Sequence, residues 1–399
     1  MRGSGTIRIA TPLAGGSDGA WRVSAEVDGG TVWFESPDLP LAPSPEAFAS
    51  AFLVPSLARR RRLISEAPLD PAWLENSPRL VEIFHRWWRY PRLVPGVAPE
   101  PPRPSDASPV ALAPAPSPAG PDPAPAGPHR ERALFFSGGV DSFHALLDHA
   151  EPIDRLVFVE GLDIRLGDAG RVESTLAGIR DVATEMGVGL AVVRTNLREH
   201  PLIRDTSWEN ANGGALAAVA HVLADSVEEM LIASSIAVQW VKAWGSHWET
   251  DPLFSSSRLR LREVGQELRR IDKVRRIAGH PLPQRHLRVC WENRVPTGNC
   301  SRCGKCVITR LMLADSGMLD RYALFDGTAT LARDIDALPH DSHRLSLTDL
   351  VTHGNLDPEL RRAAEALLRR IDHVESFPVK TRRALLRTLR GWISAVRRD

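Results

Sequence analysis

Short apolar runs alternate with helical patterns through the middle of the chain, between residues 133 and 233. The apolar runs, which are typical of buried strands, cover residues 133–136, 156–159, 190–193 and 230–233. Helical patterns separate them at residues 143–149, 172–186 and 215–223. Alternation at this spacing predicts an α/β fold, a parallel sheet with helices on both faces. Ligands of such sheets bind beyond the carboxyl ends of the strands, so the residues that follow each run are the first site candidates.

A proline-rich stretch separates this part of the chain from an N-terminal segment. Between Pro95 and Pro128 there are 13 prolines, interleaved with Ala, Ser and Gly, and large apolar residues are nearly absent. Such a composition cannot bury enough surface to fold, and it predicts an extended, semi-rigid linker. We therefore expect four parts: a small N-terminal α+β module at residues 1–94, a linker at 95–130, the α/β domain at 131–326 and a helical extension at 327–399.

The N-terminal module shows strand-like runs and helical patterns but no catalytic motif. The strand-like runs cover residues 6–10, 21–27 and 31–35, and the helical patterns cover 45–52 after Ser44 and 79–88 after Ser77. Trp87, Trp88 and Tyr90 form an aromatic cluster that either closes a small core or stacks on nucleic-acid bases. Core closure is the favoured interpretation, and the role of the module stays open.

The loop after the first apolar run of the α/β domain has the composition of a phosphate-binding site. It consists of Ser137, Gly138, Gly139, Val140, Asp141 and Ser142, and we call it the SGGVDS loop. Its glycines let backbone N–H groups surround an anion, and the following helix adds a partial positive charge. Asp141 would repel a bare phosphate, so it predicts a Mg²⁺ ion that bridges Asp141 and the phosphates. The Gly-Lys-Ser/Thr of the kinase P-loop is missing.

Polar residues after the other apolar runs are weaker candidates. Asp163 follows the second run and is a candidate ligand for a metal or a ribose, while Asn196 follows the third run and Ser234 and Ser235 follow the fourth. For each of them, capping a loop or a turn is an equal alternative.

All four cysteines of the chain lie in one short segment. Cys290, Cys300, Cys303 and Cys306 have the spacing C-x9-C-x2-C-x2-C, which suits a metal better than a disulfide framework. Four thiolates form a closed tetrahedral Zn²⁺ site, which is structural because no coordination position stays open. An iron–sulfur cluster is the alternative, because tight cysteine spacing also suits it.

Two motifs together carry a family resemblance, which covers about residues 132–312. The SGGVDS loop resembles the SGGxDS signature of the PP-loop ATP pyrophosphatases, whose fold is adenine nucleotide alpha hydrolase-like. The cysteine segment, followed by Arg310, is similar to the zinc site of the members that make 7-cyano-7-deazaguanine. Lys273 corresponds to a lysine that precedes that zinc site, and Asp251 to an aspartate of the substrate loop. The resemblance implies ATP at the loop and a catalytic role for Asp141 and Lys273, with Arg258 or Arg262 as alternatives to Lys273.

The resemblance also implies a reaction. Family members cleave ATP between the α and β phosphates, so we expect an ATP-dependent carbon–nitrogen ligase that adenylates a small-molecule or protein-borne carboxylate. Ammonia or an amine from an external donor would then attack, because the chain does not begin with the cysteine of a glutaminase domain. Ala211 stands where the family has an arginine, and the first cysteine gap is one residue longer than the family pattern. The acceptor substrate therefore stays open.

The sequence leaves two other functions open. One alternative is a tRNA-modifying PP-loop enzyme that adenylates a base carbonyl, and the other is a non-catalytic nucleotide-binding scaffold. The arginines of a predicted helix at residues 380–396 fit a nucleic-acid partner, although a solvated basic face fits them better. The net charge of +1 favours neither nucleic acid nor membrane, and no apolar stretch approaches the roughly 20 residues of a membrane span. We expect a cytoplasmic protein and leave a homodimer open.

Overall fold

The structure, a computed structural model, describes residues 5–17, 19–98, 130–240, 242–339 and 343–375. Its strands are β1 (Thr6–Ile9), β2 (Leu13–Ser17), β3 (Ala20–Val27), β4 (Gly30–Ser36), β5 (Arg62–Ser65), β6 (Gly96–Val97), β7 (Glu131–Phe135), β8 (Arg155–Glu160), β9 (Gly189–Thr195), β10 (Val227–Ala233) and β11 (Arg260–Val264). Its α-helices are α1 (Pro45–Ala58), α2 (Pro71–Trp88), α3 (Val140–Asp148), α4 (Ala169–Met186), α5 (Pro201–Arg204), α6 (Trp208–Val222), α7 (Arg270–Ile277), α8 (Pro281–His286), α9 (Gly304–Asp315), α10 (Leu331–Asp336), α11 (Arg344–His353) and α12 (Pro358–Glu375).

Five parallel strands form the centre of the fold, in the spatial order β11-β10-β7-β8-β9. The predicted α/β alternation is therefore confirmed, with one strand more than the sequence indicated. β7 lies between β8 and β10, so the strand order reverses at β7. In a doubly wound sheet this reversal opens a crevice at the carboxyl ends of the two strands, where ligands bind. The SGGVDS loop follows β7 directly, and Ser234 follows β10.

Alternate residues of β7 pack into two different cores. Leu134 belongs to a core with α3, α4, α7 and the C-terminal helices, whereas Ala133 and Phe135 belong to a core with α6 and the N-terminal helices. The sheet is therefore covered on both faces, as the near-continuous apolar run of this strand predicts. The helix after β8 ends at Gly187, whose φ of 66° is the left-handed conformation that glycine adopts without strain.

The N-terminal strands extend the same sheet. β4 pairs antiparallel with β9, with Phe34 opposite Thr195, and β3, β1, β5 and β6 follow outward in that order, while β2 pairs with β3. Asn196 joins the two parts, because its amide oxygen accepts from the Trp33 N–H at 2.9 Å and its amide nitrogen donates to the Thr31 carbonyl at 3.0 Å. The predicted N-terminal α+β segment thus shares both a sheet and a core with the α/β part, and Asn196 has a structural role at their junction.

Helix α1 contacts α6 so closely that a glycine is required there. A Cβ atom on Gly214 would lie 2.3 Å from the Ser50 carbonyl oxygen, a distance that no real Cβ tolerates. The N-terminal helices therefore cover the face of the sheet that α6 alone leaves open.

Several helix boundaries differ from the sequence prediction. Helix α1 ends at Ala58 rather than at residue 52. Helix α2 begins at Pro71 rather than near residue 79, because Asp70 caps its first turn through hydrogen bonds from Ala72 and Trp73. Helix α6 begins at Trp208 rather than at residue 215. Asn212 and Gly213 have low helix propensity, but tertiary packing keeps them helical. The described residues of the predicted helical extension contain α10, α11 and α12, and the predicted helix at residues 380–396 lies outside the described residues.

Candidate functional site

The SGGVDS loop connects the buried end of β7 to the first turn of α3. Gly138 has a φ of 74°, in the left-handed region that favours glycine, and Gly139 caps the helix. The N–H groups of the first helical turn, from Val140 onward, have no partner within the helix and point toward the loop. The Ser142 hydroxyl donates to the Gly139 carbonyl at 3.1 Å, which fixes the turn. The loop therefore has the backbone arrangement of an anion site.

Asp141 lies between two cations of helix α7. Its Oδ2 atom is 3.0 Å from Arg270 Nη1, and its Oδ1 atom is 3.6 Å from Lys273 Nζ. Although burial opposes ionisation, the charges of Arg270 and Lys273 lower the pKa of Asp141 below its ordinary value. The Oδ1 atom is buried and accepts no hydrogen bond from the described residues. A buried carboxylate oxygen without a donor is a suitable ligand for a cation.

Lys273 joins the loops that follow β7 and β10. Its side chain is 2% exposed, and its ammonium group donates to the Ser234 carbonyl at 2.6 Å. Burial lowers the pKa of Lys273, and the carboxylate of Asp141 opposes that shift. An ammonium held at the crevice between these two strands can neutralise a phosphate or a developing negative charge.

Asp163, the candidate at the end of β8, is exposed and lies among cations. Its charge acts on Arg198, Arg288 and Lys305 and raises the pKa of each, against the lowering effect of burial. Lys305 is close enough to be influenced by Asp141 as well. The end of β8 is therefore part of the same charged site, with more positive than negative groups.

Two buried carboxyl groups continue this cluster of ionisable residues: Glu263 lies near Lys273 and Asp141, and Asp251 lies near Glu263. The electrostatic influence of Asp251 reaches Glu263 at the end of β11, and Lys273 and Asp141 also act on Glu263. Burial raises the pKa of Glu263 to about 9 and that of Asp251 to about 7. One oxygen of each group, Glu263 Oε2 and Asp251 Oδ1, is buried without a hydrogen-bond partner.

The four cysteines meet at one point. All four Sγ atoms lie within 4.8 Å of one another, and the Cys300–Cys306 and Cys290–Cys303 pairs are each 3.9 Å apart. Thiolates about 2.3 Å from one tetrahedral zinc ion are separated by about 3.8 Å. The Cys303 N–H also donates to Cys300 Sγ at 3.2 Å, and hydrogen bonding from Cys306 lowers the pKa of Cys303 to about 5. This cluster could hold a metal ion such as zinc.

The cysteine segment is attached to the SGGVDS loop. The Arg288 N–H donates to the Gly138 carbonyl at 2.8 Å, two residues before Cys290. Asn299 holds this approach in place, because its side-chain oxygen accepts from the N–H groups of Val289 and Cys290. A metal that orders the cysteines therefore also orders one wall of the loop.

Arg310, the arginine that follows the cysteines, is wholly buried and has a structural role. It donates to the carbonyl oxygens of Ser301, Asp326 and Gly327, to the carboxylate of Asp334 and to the hydroxyl of Thr330. These bonds connect the cysteine segment to the C-terminal helices, and they use the guanidinium group completely.

The structure brings Asp141 and Lys273 into contact beside the loop, and Asp163 is linked to them through Lys305, on which both aspartates act. The alternative cations lie elsewhere: Arg258 pairs with Asp225 before β11, and Arg262 pairs with Glu229 at 3.1 Å within the sheet. Sequence reasoning missed Arg270 and Glu263, and it attached no role to Lys305. The signal for Arg270 was its position one helical turn from Lys273, on the same helix face.

Comparison of the chain with protein-family models, with curated proteins and with solved structures finds no match. Within the described residues, no helix combines the length and the apolar character needed to cross a membrane.

Proposed function

We propose that this chain is an ATP-dependent ligase of the PP-loop type, which adenylates a carboxylate and releases pyrophosphate. The observation that carries the proposal is the position of the SGGVDS loop. It follows β7 where the strand order reverses, and two cations of α7 flank its aspartate. The proposed relationship to the 7-cyano-7-deazaguanine synthases rests on this loop, the cysteine cluster and Lys273.

In this proposal the triphosphate of ATP lies on the N-terminal turn of α3. The backbone N–H groups there and the hydroxyl of Ser137 donate to phosphate oxygens. Asp141 is the residue that would hold Mg²⁺, and its Oδ1 atom, which accepts no hydrogen bond from the described residues, fits that role. When bound, Mg²⁺ would supply charge neutralisation to the phosphates. Lys273 and Arg270 supply fixed positive charge at the point where negative charge develops.

The proposed reaction has two displacement steps. A carboxylate oxygen of the acceptor attacks the α-phosphorus of ATP, and the bond to the bridging oxygen breaks as pyrophosphate leaves. Ammonia or an amine then attacks the carbonyl carbon of the acyl-adenylate, AMP leaves, and a proton of the nitrogen is lost. Positioning and electrostatic stabilisation account for most of the catalysis in such displacements.

The metal of the cysteine cluster is zinc in this proposal, and its role is structural. Four sulfurs at this spacing leave no open position for substrate. An iron–sulfur cluster distributes its four thiolates over at least two iron atoms, so some of its sulfur pairs lie farther apart than the 4.8 Å within which all four sulfurs lie here.

ATP–pyrophosphate exchange tests the proposal directly. Purified protein with MgATP, labelled pyrophosphate and a panel of carboxylates should return label to ATP with at least one of them. Asp141→Asn should lower the exchange rate by about 100-fold, which matches the loss of one preorganised charge contact. Asp148→Asn, on the same helix but outside the loop, is the matched control and should exchange at the wild-type rate. Exchange that is equal in both variants would refute the assignment.

A further inference from the structure

Helix α2 of the N-terminal part lies against the chain segment that follows β10. We call residues 243–257 the acceptor segment, because Asp251 lies in it. The ring of Trp87 stands edge-on to the imidazole of His247, with 4.8 Å between the ring centroids, and Trp248 lies 5.0 Å beyond His247. The aromatic residues at the end of α2 therefore contact the segment that carries a carboxyl group of the site.

Polar contacts join the two elements at both ends of α2. Arg86, near its end, forms an ion pair with Glu249. Asp70, the capping residue at its beginning, accepts from the Ser257 N–H at 3.1 Å and from the Ser257 hydroxyl. Contacts at both ends fix the helix along the whole acceptor segment, rather than at one point.

Helix α6 confines the same segment from the other side. The Gly245 N–H donates to the Glu209 carbonyl at 2.6 Å, and a Cβ on Gly213 would lie 2.0 Å from the Gly245 oxygen. Tyr90, just after α2, accepts a hydrogen bond from Asn210 of α6 at 3.0 Å. The acceptor segment is thus held between a helix of the α/β part and a helix of the N-terminal part.

The residue that α2 contacts is also the residue that positions Asp251. The His247 carbonyl accepts from the N–H groups of Thr250 and Asp251, both at 2.9 Å, which closes a tight turn. Ser246 donates to Asp251 Oδ2 at 2.6 Å, and the other oxygen stays unpartnered and buried. Asp251 acts electrostatically on Glu263, on which Lys273 and Asp141 act as well.

We infer that the N-terminal part of the chain positions the acceptor side of the active site, with Trp87 and Arg86 as the positioning residues. The inference rests on the proposed function, because it assigns Asp251 to the side of the site where the second substrate binds. A segment of irregular structure loses substantial entropy when it is ordered, so a substrate that had to order it would bind more weakly. The contacts from α2 order the acceptor segment before the substrate binds.

A pair of double variants tests the inference with closely matched chemistry. The test variant combines Arg86→Gln with Trp87→Ala, which removes both contacts to the acceptor segment. The control combines Arg22→Gln with Trp33→Ala: Arg22 pairs with Glu35 and lies over the ring of Trp33, all within the N-terminal part. Each double variant removes one arginine ion pair and one half-buried tryptophan.

Three measurements are made on the full-length chain and both variants. Amide hydrogen exchange of residues 243–257 should accelerate at least about 10-fold in the test variant and stay near the wild-type rate in the control. The Kd for MgATP should be unchanged in both. For a carboxylate that supports pyrophosphate exchange in the wild type, KM should rise at least about 10-fold in the test variant with little change in kcat. Trp87→Phe should keep the wild-type KM.

The outcomes separate the inference from the proposed function. Equal protection of residues 243–257 in the two double variants overturns the positioning role, whether or not the protein binds ATP. A wild-type chain that binds no MgATP overturns the proposed function, while hydrogen exchange still reports on the contacts of α2. A fall in kcat with KM unchanged would also overturn the positioning role, because it would locate the effect in the chemical step.

Discussion

At the scale of single residues, the site is defined by ionisable groups that have been removed from water. Asp141, Lys273 and Glu263 are largely buried; Lys273 favours the carboxylate of Asp141, whereas burial and the charge of Asp251 favour the protonated form of Glu263. Desolvation of this kind costs free energy, and active sites are where proteins retain it. The charged crevice is therefore better explained by a bound ligand than by a contribution to stability.

The raised pKa of Glu263 makes a pH-dependent prediction. Its pKa is about 9 in the folded chain, above the ordinary value of 4.5, so the folded state holds an extra proton between those limits. Stability therefore falls as the pH rises from about 5 to 9, because unfolding releases that proton. Glu263→Gln removes this dependence. We expect the Tm of the variant relative to wild type to increase by at least about 2 °C between pH 6 and pH 9.

Glu267→Gln, at an exposed position four residues after Glu263, is the control for this measurement. Its Tm difference from wild type should be the same at both pH values. A Glu263→Gln difference that is flat across pH would show that this carboxyl group is ionised in the folded protein.

At the scale of elements, the cysteine segment connects a candidate metal site to the SGGVDS loop. Backbone contact between Arg288 and Gly138 makes the wall of the loop depend on the fold of the cysteine segment. Loss of the metal should therefore affect the site as well as stability.

Cys300→Ser tests this dependence. We expect the metal content measured by elemental analysis to fall from one zinc per chain to near zero, and the Tm to fall with it, because a structural zinc site contributes folding free energy directly. Arg302→Gln, an exposed residue in the same turn, should keep both values. Full metal content with iron in place of zinc would contradict the zinc assignment.

The contact between α1 and α6 makes a prediction about one glycine. Gly214→Ala places a methyl group 2.3 Å from a backbone oxygen, so the helices must move apart, and we expect a loss of about 1–3 kcal/mol in the free energy of unfolding. Gly170→Ala in α4 has nothing within 4 Å of its new Cβ and should be neutral or slightly stabilising. Chemical denaturation of the two variants gives the comparison, and equal stability would contradict the close packing.

At the scale of the whole molecule, the N-terminal part supplies strands β1 to β6 of the same sheet that contains β7 to β11. Its helices share a core with α6, and β4 covers the edge of β9. A chain beginning at residue 130 would expose that edge strand and an apolar helix face. We expect this fragment to aggregate when expressed alone and to become soluble when residues 1–98 are coexpressed with it. A monomeric, cooperatively folding fragment in gel filtration and thermal unfolding would contradict this.

The sequence predicts the elements that depend on neighbouring residues, and it does not predict contacts between residues far apart in the chain. The strands from β7 to β10 and the SGGVDS loop are visible because buried strands and glycine-rich turns have local patterns. β11 was missed because it is an edge strand in which charged Arg260, Arg262 and Glu263 interrupt the apolar residues. The pairing of β4 with β9 joins residues about 160 positions apart, so no local sequence pattern predicts it. Glu263 is a candidate site residue because of its spatial neighbours Asp251, Lys273 and Asp141, which the sequence alone does not place beside it.

The central claim is that the SGGVDS loop binds ATP through Asp141 and its magnesium ion. Calorimetric titration with Mg²⁺ and α,β-methylene-ATP, which cannot be cleaved at the bond in question, tests it without knowledge of the acceptor. We predict one site per chain for the wild type and for Asp148→Asn, and a Kd at least about 10-fold higher for Asp141→Asn, because a tenfold loss corresponds to about 1.4 kcal/mol of contact energy. No binding by the wild-type chain, or equal binding by Asp141→Asn, would contradict the account.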